Sequence, residues 1–206
     1  MNYKIRDENE KDYYEVENIT REAFWNLYRP GCIEHLVIHN LRNNQAFIKE
    51  LAYVIEYNEE IIGSIIYSYG ILKLDKGGVK DLINFGPVSI RPDYQGKGIG
   101  NKLITTSIDR AKELGYDVIF ITGNPKYYNR FGFEPACQYG IYLDEKRDPK
   151  EAEFFMVKLL KPGALDGLSG IYVFDSCFFP SMEELEEYDK QFPPKIKEKR
   201  PGQFEE

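Results

Sequence analysis

The stretch that decides the fold runs from Gly86 to Gly100 and reads GPVSIRPDYQGKGIG. An apolar strand ends within it, a short turn follows, and an amphipathic helix begins at its last glycines. In such a strand–turn–helix arrangement, successive backbone N–H groups can converge on one point, and the helix N-terminus adds partial positive charge. The stretch therefore predicts a binding site for a phosphate group.

Two common phosphate-binding fingerprints do not fit this turn. A dinucleotide-binding turn requires Gly-x-Gly-x-x-Gly, but Gly100 is followed by Asn101, so the third glycine comes one residue early. A nucleoside-triphosphate loop requires a lysine followed by Ser or Thr, but Lys97 is followed by Gly98. The phosphate group is therefore expected to belong to another kind of ligand.

Length and composition narrow the class of protein. The 206 residues suit one domain with an extension, and the net charge of -7 argues against a nucleic-acid partner. No apolar run is long enough to cross a membrane, and no signal sequence opens the chain, so no membrane partner is expected. The three cysteines, Cys32, Cys137 and Cys177, share no short spacing, which predicts reduced thiols and a cytoplasmic protein.

The hydrophobic pattern predicts an alternation of strands and helices. Helices are expected at Glu10–Phe24, around Ile33–Leu41, at Gly98–Leu114, briefly after Asn124, and at about Ser181–Gln191. Strands are expected at Tyr3–Arg6, Phe47–Tyr57, Glu60–Leu72, Asp81–Ile90, Val118–Thr122, Glu153–Leu160 and Gly170–Phe174, with a hairpin turn at residues 58–59. A boundary at Pro162-Gly163 divides a domain at 1–162 from a C-terminal extension at 163–206.

The pattern Gln/Arg-x-x-Gly-x-Gly/Ala fits Gln95–Gly100. Together with Asn124 and Tyr128-x-x-x-Gly132 downstream, it makes the chain resemble the GNAT superfamily of N-acetyltransferases over about Tyr3–Leu160. The resemblance implies an α/β fold whose central mixed, mainly antiparallel sheet is flanked by helices. It also implies acetyl-CoA as co-substrate, no metal, and direct attack by a primary amine of a small molecule or peptide in a ternary complex. Residues 162–165 resemble an uncharacterised bacterial subgroup of predicted acetyltransferases, which names no acceptor.

The resemblance assigns acetyl-CoA binding to one run of residues and one separate asparagine. The backbone of Val88 and Ile90 would pair with the pantetheine arm, because their strand would bulge and diverge from its neighbour after Ile119. An N–H near Val88 would polarise the thioester carbonyl. Asn124 would bond the pantetheine, although an asparagine before proline also suits a helix N-cap. The expected cofactor-binding residues are Val88, Ser89, Ile90, Gln95, Gly96, Lys97, Gly98, Ile99, Gly100 and Asn124.

Tyr128 is the expected catalytic residue. It lies four residues before Gly132, where the family places a tyrosine beside the CoA sulfur, and a phenol is a suitable acid for a departing thiolate. Histone-type members carry a glutamate base where this chain has Asn84. Glu56, Asp81 or a chain of water molecules are left open as the base.

Other groups suggest competing interpretations. Cys32, His35 and His39 have helical spacing that a zinc site could use, but no fourth ligand accompanies them, so no metal is expected. His35, His39, Trp25 and Tyr28 could instead line the acceptor pocket. The basic tail, with Lys195, Lys197, Lys199 and Arg200, is expected to be a solvated, frayed terminus rather than a nucleic-acid hook.

The extension as a whole is expected to pack on the domain or on an oligomer partner, and a homodimer is left open. The same sequence is also compatible with two other functions. One is a non-catalytic acyl-CoA-binding or sensor module, and the other is a protein-interaction domain that uses the acidic helix near the C-terminus.

Overall fold

The computed structural model describes residues 3–149 and 153–203 of the 206-residue chain. Within these two ranges, no helix combines the length and apolar character needed to cross a membrane. The helices are α1 (Tyr13–Phe24), α2 (Glu34–Arg42), α3 (Ile99–Glu113), α4 (Pro125–Tyr128) and α5 (Met182–Asp189). The strands are β1 (Lys4–Asp7), β2 (Tyr53–Tyr57), β3 (Glu60–Leu74), β4 (Val79–Ile90), β5 (Val118–Thr122), β6 (Glu134–Pro135), β7 (Ile141–Tyr142), β8 (Phe155–Leu159) and β9 (Gly170–Val173).

The chain forms two compact units, and β3, β4 and α3 each contribute residues to both. The first unit takes in the described residues of Met1–Ile66, Pro87–Ser107 and Ser176–Glu206. The second takes in those of Tyr67–Gly86 and Ile108–Asp175. The predicted boundary at residue 162 rests on the Pro162-Gly163 break in the sequence and not on contacts within the fold, and it stays a prediction.

In the first unit, β1 pairs with β2 and β2 pairs with β3, both antiparallel. The predicted hairpin between β2 and β3 is present. Asn58 and Glu59 both adopt positive φ, as a tight two-residue hairpin turn requires. Helices α1 and α2 bury their apolar faces together with β2 and β3. The shared core consists of Val16, Val37, Ile38, Leu41, Ala52, Val54 and Ile66.

In the second unit, β4 pairs with β5 in parallel, and β5 and β6 flank β8 in antiparallel pairs. Strand β9 pairs antiparallel with the end of β3 and parallel with β7. The resulting set of strands is mixed, as predicted. An apolar core forms on these strands from Leu72, Leu82, Val118, Phe120, Ala136, Ile141, Phe155, Val157, Leu165 and Tyr172.

Two parts of the sequence prediction need correction. The strand expected at Phe47–Tyr57 begins only at Tyr53, because Lys49–Leu51 form a 3₁₀ turn. The turn buries Ile48 and Leu51, whose spacing of three suits a 3₁₀ helix better than a strand. The short strands β6 and β7 were not predicted, since two-residue strands carry no periodic signal.

The expectation of a frayed C-terminal tail is wrong. Residues 195–203 run along the loop that follows α1 and are hydrogen-bonded to it. The carbonyl of Ile196 accepts hydrogen bonds from Nε1 of Trp25 at 2.9 Å and Nδ2 of Asn26 at 3.0 Å. Lys195 forms an ion pair with Glu22, with Nζ and Oε2 2.7 Å apart. The indole N–H of Trp25, the side-chain amide of Asn26 and the ion pair of Lys195 therefore hold the tail in place.

Candidate functional site

The glycine turn predicted to bind phosphate lies in the first unit, between β4 and α3. A 3₁₀ turn at Pro92–Tyr94 follows β4, and α3 begins at Ile99. Gly96 and Gly98 adopt φ values of +71° and +79°, and a Cβ added at either would meet no atom within 4 Å. The two positions therefore need glycine for backbone conformation, and the space beside them is open.

The backbone N–H groups of residues 96–100 have no hydrogen-bond partner among the residues that the structure describes. None of these five successive groups donates to another described residue, and Gly96, Lys97 and Gly98 are exposed. The N–H of Lys102, beyond this row, donates to the carbonyl of Gly98. Unpaired donors at the start of a fifteen-residue helix form a positive site suited to an anion.

The side chains of Gln95 and Lys97 stabilise the turn by donating hydrogen bonds to backbone carbonyl groups. Gln95 donates from Nε2 to the carbonyl of Ile90 at 2.9 Å, and Lys97 donates from Nζ to the carbonyl of Asp93 at 2.7 Å. Both side chains thus stabilise the shape of the turn. Ser89 is buried, and its hydroxyl lies 2.9 Å from that of Thr20 and 3.0 Å from that of Ser64. The side chain of Ser89, one of the predicted cofactor-binding residues, thus points into the core and is hydrogen-bonded there.

Strands β4 and β5 part within the second unit. They share only two parallel rungs, Ile83–Ile119 and Asn84–Phe120. Strand β5 continues to Thr122 paired with β8, whereas its pairing with β4 ends after Phe120. The parting occurs one residue later than the sequence predicts.

The segment after β5 carries the two other predicted site residues. Asn124 caps α4, with Oδ1 accepting a hydrogen bond from the N–H of Lys126 at 3.0 Å. Tyr128 is nearly buried at 9% exposure, and its ring centroid lies 5.9 Å from that of Phe85 and 6.0 Å from that of Phe133. The N-cap interpretation of Asn124 is thus correct. Tyr128 is positioned by an aromatic cluster that includes Phe85, the first residue of β4 after its last rung with β5.

The residues considered in relation to the general base lie in different surroundings. Glu56 is engaged by Arg6, with Oε1 2.7 Å from Nε. Asn84 is fully buried: its Nδ2 donates to the hydroxyl of Ser68 at 3.0 Å, and its Oδ1 accepts from the hydroxyl of Tyr172 at 2.7 Å. Asp81 is exposed at the start of β4's buried portion. Sequence reasoning identified Asn84 as a departure but missed its two partners, because they lie on two other strands, Ser68 on β3 and Tyr172 on β9.

The histidines and cysteine considered for zinc have other partners. Cys32 and His35 are buried together, with Sγ 3.4 Å from Nδ1, while Nδ1 of His39 lies 3.2 Å from Oε1 of Glu17. Burial raises the pKa of the Cys32 thiol, and burial lowers the pKa of His35 to about 4. Across residues 3–149 and 153–203, no three His, Cys, Asp or Glu side chains are grouped so as to hold a metal ion.

Comparison with known proteins gives a consistent picture. Residues 49–135 match the family model of the acetyltransferase (GNAT) domain. The uncharacterized N-acetyltransferase YhbS of Escherichia coli K12 is 27% identical over 147 residues, which cover 70% of this chain and 83% of YhbS. The crystal structure of E. coli YhbS in complex with CoA matches with a TM-score of 0.74 at 24% identity, covering 86% of this chain and 92% of that one.

A second crystal structure agrees. A GNAT family acetyltransferase from Brucella melitensis, in complex with acetyl-CoA, matches with a TM-score of 0.69 at 25% identity and covers 86% of this chain and 98% of that one. The predicted α/β GNAT fold is therefore confirmed. The segment that matches the GNAT domain model, residues 49–135, includes the glycine turn, Asn124 and Tyr128.

Proposed function

We propose that this protein transfers the acetyl group of acetyl-CoA to a primary amine of a small molecule or peptide, by direct attack in a ternary complex. The observation that carries the proposal is the row of unpaired N–H groups at residues 96–100, which suits the pyrophosphate of CoA. Holding the amine and the thioester together supplies much of the rate in such a reaction, so no strong base is required for catalysis to occur.

On the donor side, each element has a separate role in the proposal. The N–H groups of the glycine turn bind the pyrophosphate, and the backbone of Val88 and Ile90 pairs with the pantetheine arm. Asn124 binds a pantetheine amide through its Nδ2, since its Oδ1 is engaged by the helix cap and its Nδ2 donates to no other described residue. A cytoplasmic location is part of the proposal, in keeping with the three free cysteines.

The donor site is tested by Gly98→Ala, with Gly78→Ala as a matched control. Both glycines have positive φ, +79° and +87°, and open surroundings, so both substitutions carry a similar backbone strain of about 1–2 kcal/mol. Only a Cβ at residue 98 would stand beside the proposed pyrophosphate. We expect the Kd for CoA, measured by calorimetry, to rise about tenfold or more in Gly98→Ala. It should change less than about twofold in Gly78→Ala.

Thermal unfolding of the wild type supplies the first decision. Acetyl-CoA at a hundred times its Kd should stabilise the protein by about 2.7 kcal/mol. No stabilisation would reject acetyl-CoA binding and favour a protein-interaction domain. Binding without thiol release against a panel of primary amines would favour a non-catalytic sensor instead.

The proposed acid is tested by Tyr128→Phe, with Tyr127→Phe as the neighbouring control. The Tyr128 hydroxyl would protonate the departing thiolate, so its loss should lower kcat by about 10²-fold while leaving the KM for acetyl-CoA nearly unchanged. Thiol release with the best amine of the panel measures both constants. Turnover of Tyr128→Phe within about twofold of the wild type would reject the acid role.

A further inference from the structure

A chain of buried hydrogen bonds crosses three strands of the second unit. The hydroxyl of Tyr172 on β9 donates to Oδ1 of Asn84 on β4, and Nδ2 of Asn84 donates to the hydroxyl of Ser68 on β3. All three residues are at most 1% exposed. We call this set the Ser68–Asn84–Tyr172 network.

The network lies at the rung after which β4 and β5 part. Asn84 pairs with Phe120 in the last of the two rungs. The ring of Tyr172 stacks on Phe120, with centroids 4.6 Å apart and planes inclined by 25°. Tyr172 therefore contacts both members of the last rung, one through its hydroxyl and the other through its ring.

Two features of the surroundings favour this arrangement. A Cβ at Gly70 would overlap the hydroxyl of Tyr172, so a glycine is required where the phenol passes β3. Burial raises the pKa of Tyr172 well above its usual value, which keeps the hydroxyl neutral and able to donate. A buried amide oxygen that loses its donor costs about 1–3 kcal/mol, so Asn84 is strongly held in its present position.

We propose that Tyr172 is a positioning residue for the acyl donor, which fixes the rung at which β4 separates from β5 and thereby the backbone that receives the pantetheine arm. The inference rests on the proposed function. It assigns a role in the acetyl-transfer site to a residue of the C-terminal extension, outside the segment that matches the family model.

A purely structural role for Tyr172 makes a different prediction from a positioning role. If Tyr172 only stabilises the core, its loss weakens all ligands alike or none of them. If it positions β4, its loss weakens only ligands that carry the pantetheine arm. Two probes separate these cases: CoA, and 3′-phosphoadenosine 5′-diphosphate, which retains the phosphates and lacks pantetheine.

The experiment measures the Kd of both probes by calorimetry for the wild type and Tyr172→Phe, which keeps the stacked ring and removes only the hydroxyl. We expect the Kd for CoA to rise about fivefold to tenfold, and that for 3′-phosphoadenosine 5′-diphosphate to change less than about twofold. Ser68→Ala, at the other end of the network, should give a smaller change in the same direction.

The control is Ile141→Val, which loosens the same apolar core but removes no hydrogen bond. It should leave the ratio of the two Kd values unchanged. An unchanged ratio in Tyr172→Phe as well, whether both values rise or neither does, would overturn the inference while leaving the proposed function intact. A wild-type protein that binds neither probe would overturn both.

Discussion

The interiors of the two units differ in the side chains that they bury: charged groups in the first unit and stacked aromatic rings in the second. Every buried arginine, histidine and acidic residue in the described chain belongs to the first unit, where Arg21 and His35 are fully buried. The second unit buries no such group; its core stacks Phe120, Phe155 and Tyr172, with ring centroids 4.6–5.4 Å apart.

Two of the charged groups in the first unit include a residue of α5. Arg21 makes a bidentate ion pair with Asp189 of α5, at 2.6 Å and 3.0 Å, and Nε2 of His35 lies 3.2 Å from the same carboxylate without hydrogen-bond geometry. Arg42 bridges Glu8 and Glu17, and Tyr188 of α5 donates to Glu17 at 2.6 Å. Helix α5 is thus joined to both groups, and its Leu185 and Tyr188 also pack against Leu36 of α2.

The difference has an energetic consequence. Ion pairs taken out of water gain little net stability, but a single lost partner leaves an uncompensated buried charge. Aromatic stacks lose only packing when one ring is reduced in size. The first unit should therefore respond sharply to single substitutions and to pH, and the second should respond more gradually.

The largest expected effect comes from Arg42→Met, which removes one charge and leaves Glu8 and Glu17 buried without their cation. The ion-pair distances are 2.6 Å and 2.5 Å, and the arginine side chain is only 2% exposed. We expect the free energy of unfolding in urea to fall by about 3–5 kcal/mol. Phe155→Leu, the comparison in the second unit, should cost about 1–2 kcal/mol.

Replacing the whole group tests the reason for that loss. The variant that combines Arg42→Met, Glu8→Leu and Glu17→Leu should recover much of the lost stability, because no charge is left unpaired. Equal losses for Arg42→Met and Phe155→Leu would remove the contrast between the two interiors.

A smaller effect is expected from pH. Burial holds the pKa of His35 near 4, against 6.5 in the unfolded chain, although Asp189 opposes the shift and Arg21 and Lys197 add to it. Between these values the unfolded chain binds a proton that the folded protein does not, so stability falls as the pH falls. From pH 7 to pH 5 the contribution of His35 is about 2 kcal/mol.

Urea unfolding of the wild type and His35→Leu at both pH values isolates this contribution. The loss of stability between pH 7 and pH 5 should be smaller in the variant by about 2 kcal/mol. In Phe155→Leu the loss should equal that of the wild type, since no titrating group is removed. A wild-type pH dependence in His35→Leu would show that another group of the first unit is responsible.

Local signals in the sequence predicted the parts of the fold that local residues determine. The apolar spacing of α3, the continuous apolar run of β5 and the Asn58-Glu59 turn each carry their own information, and all three are present. The glycine turn was found in the same way, because its pattern lies within six residues, Gln95–Gly100.

The parts that failed depend on partners far along the chain. Arg21 has the polarity of a surface residue on α1, and its burial follows only from Asp189, 168 residues away. Tyr172 meets Asn84 across 88 residues, so the network at the last rung had no sequence pattern to reveal it. The tail was expected to fray because its sequence is charged and does not show that Glu22 and Asn26, far back in the chain, bind it.

The attachment of α5 and the tail to α1 also determines when the first unit can be completed during synthesis on the ribosome. Glu17 must wait for Tyr188, 171 residues later, and Asn26 for Ile196, 170 residues later. At bacterial and eukaryotic elongation rates this interval is roughly 10–30 seconds. The residues of the second unit between Tyr67 and Asp175 all emerge within that interval, so the part of the chain made first is the part that is finished last.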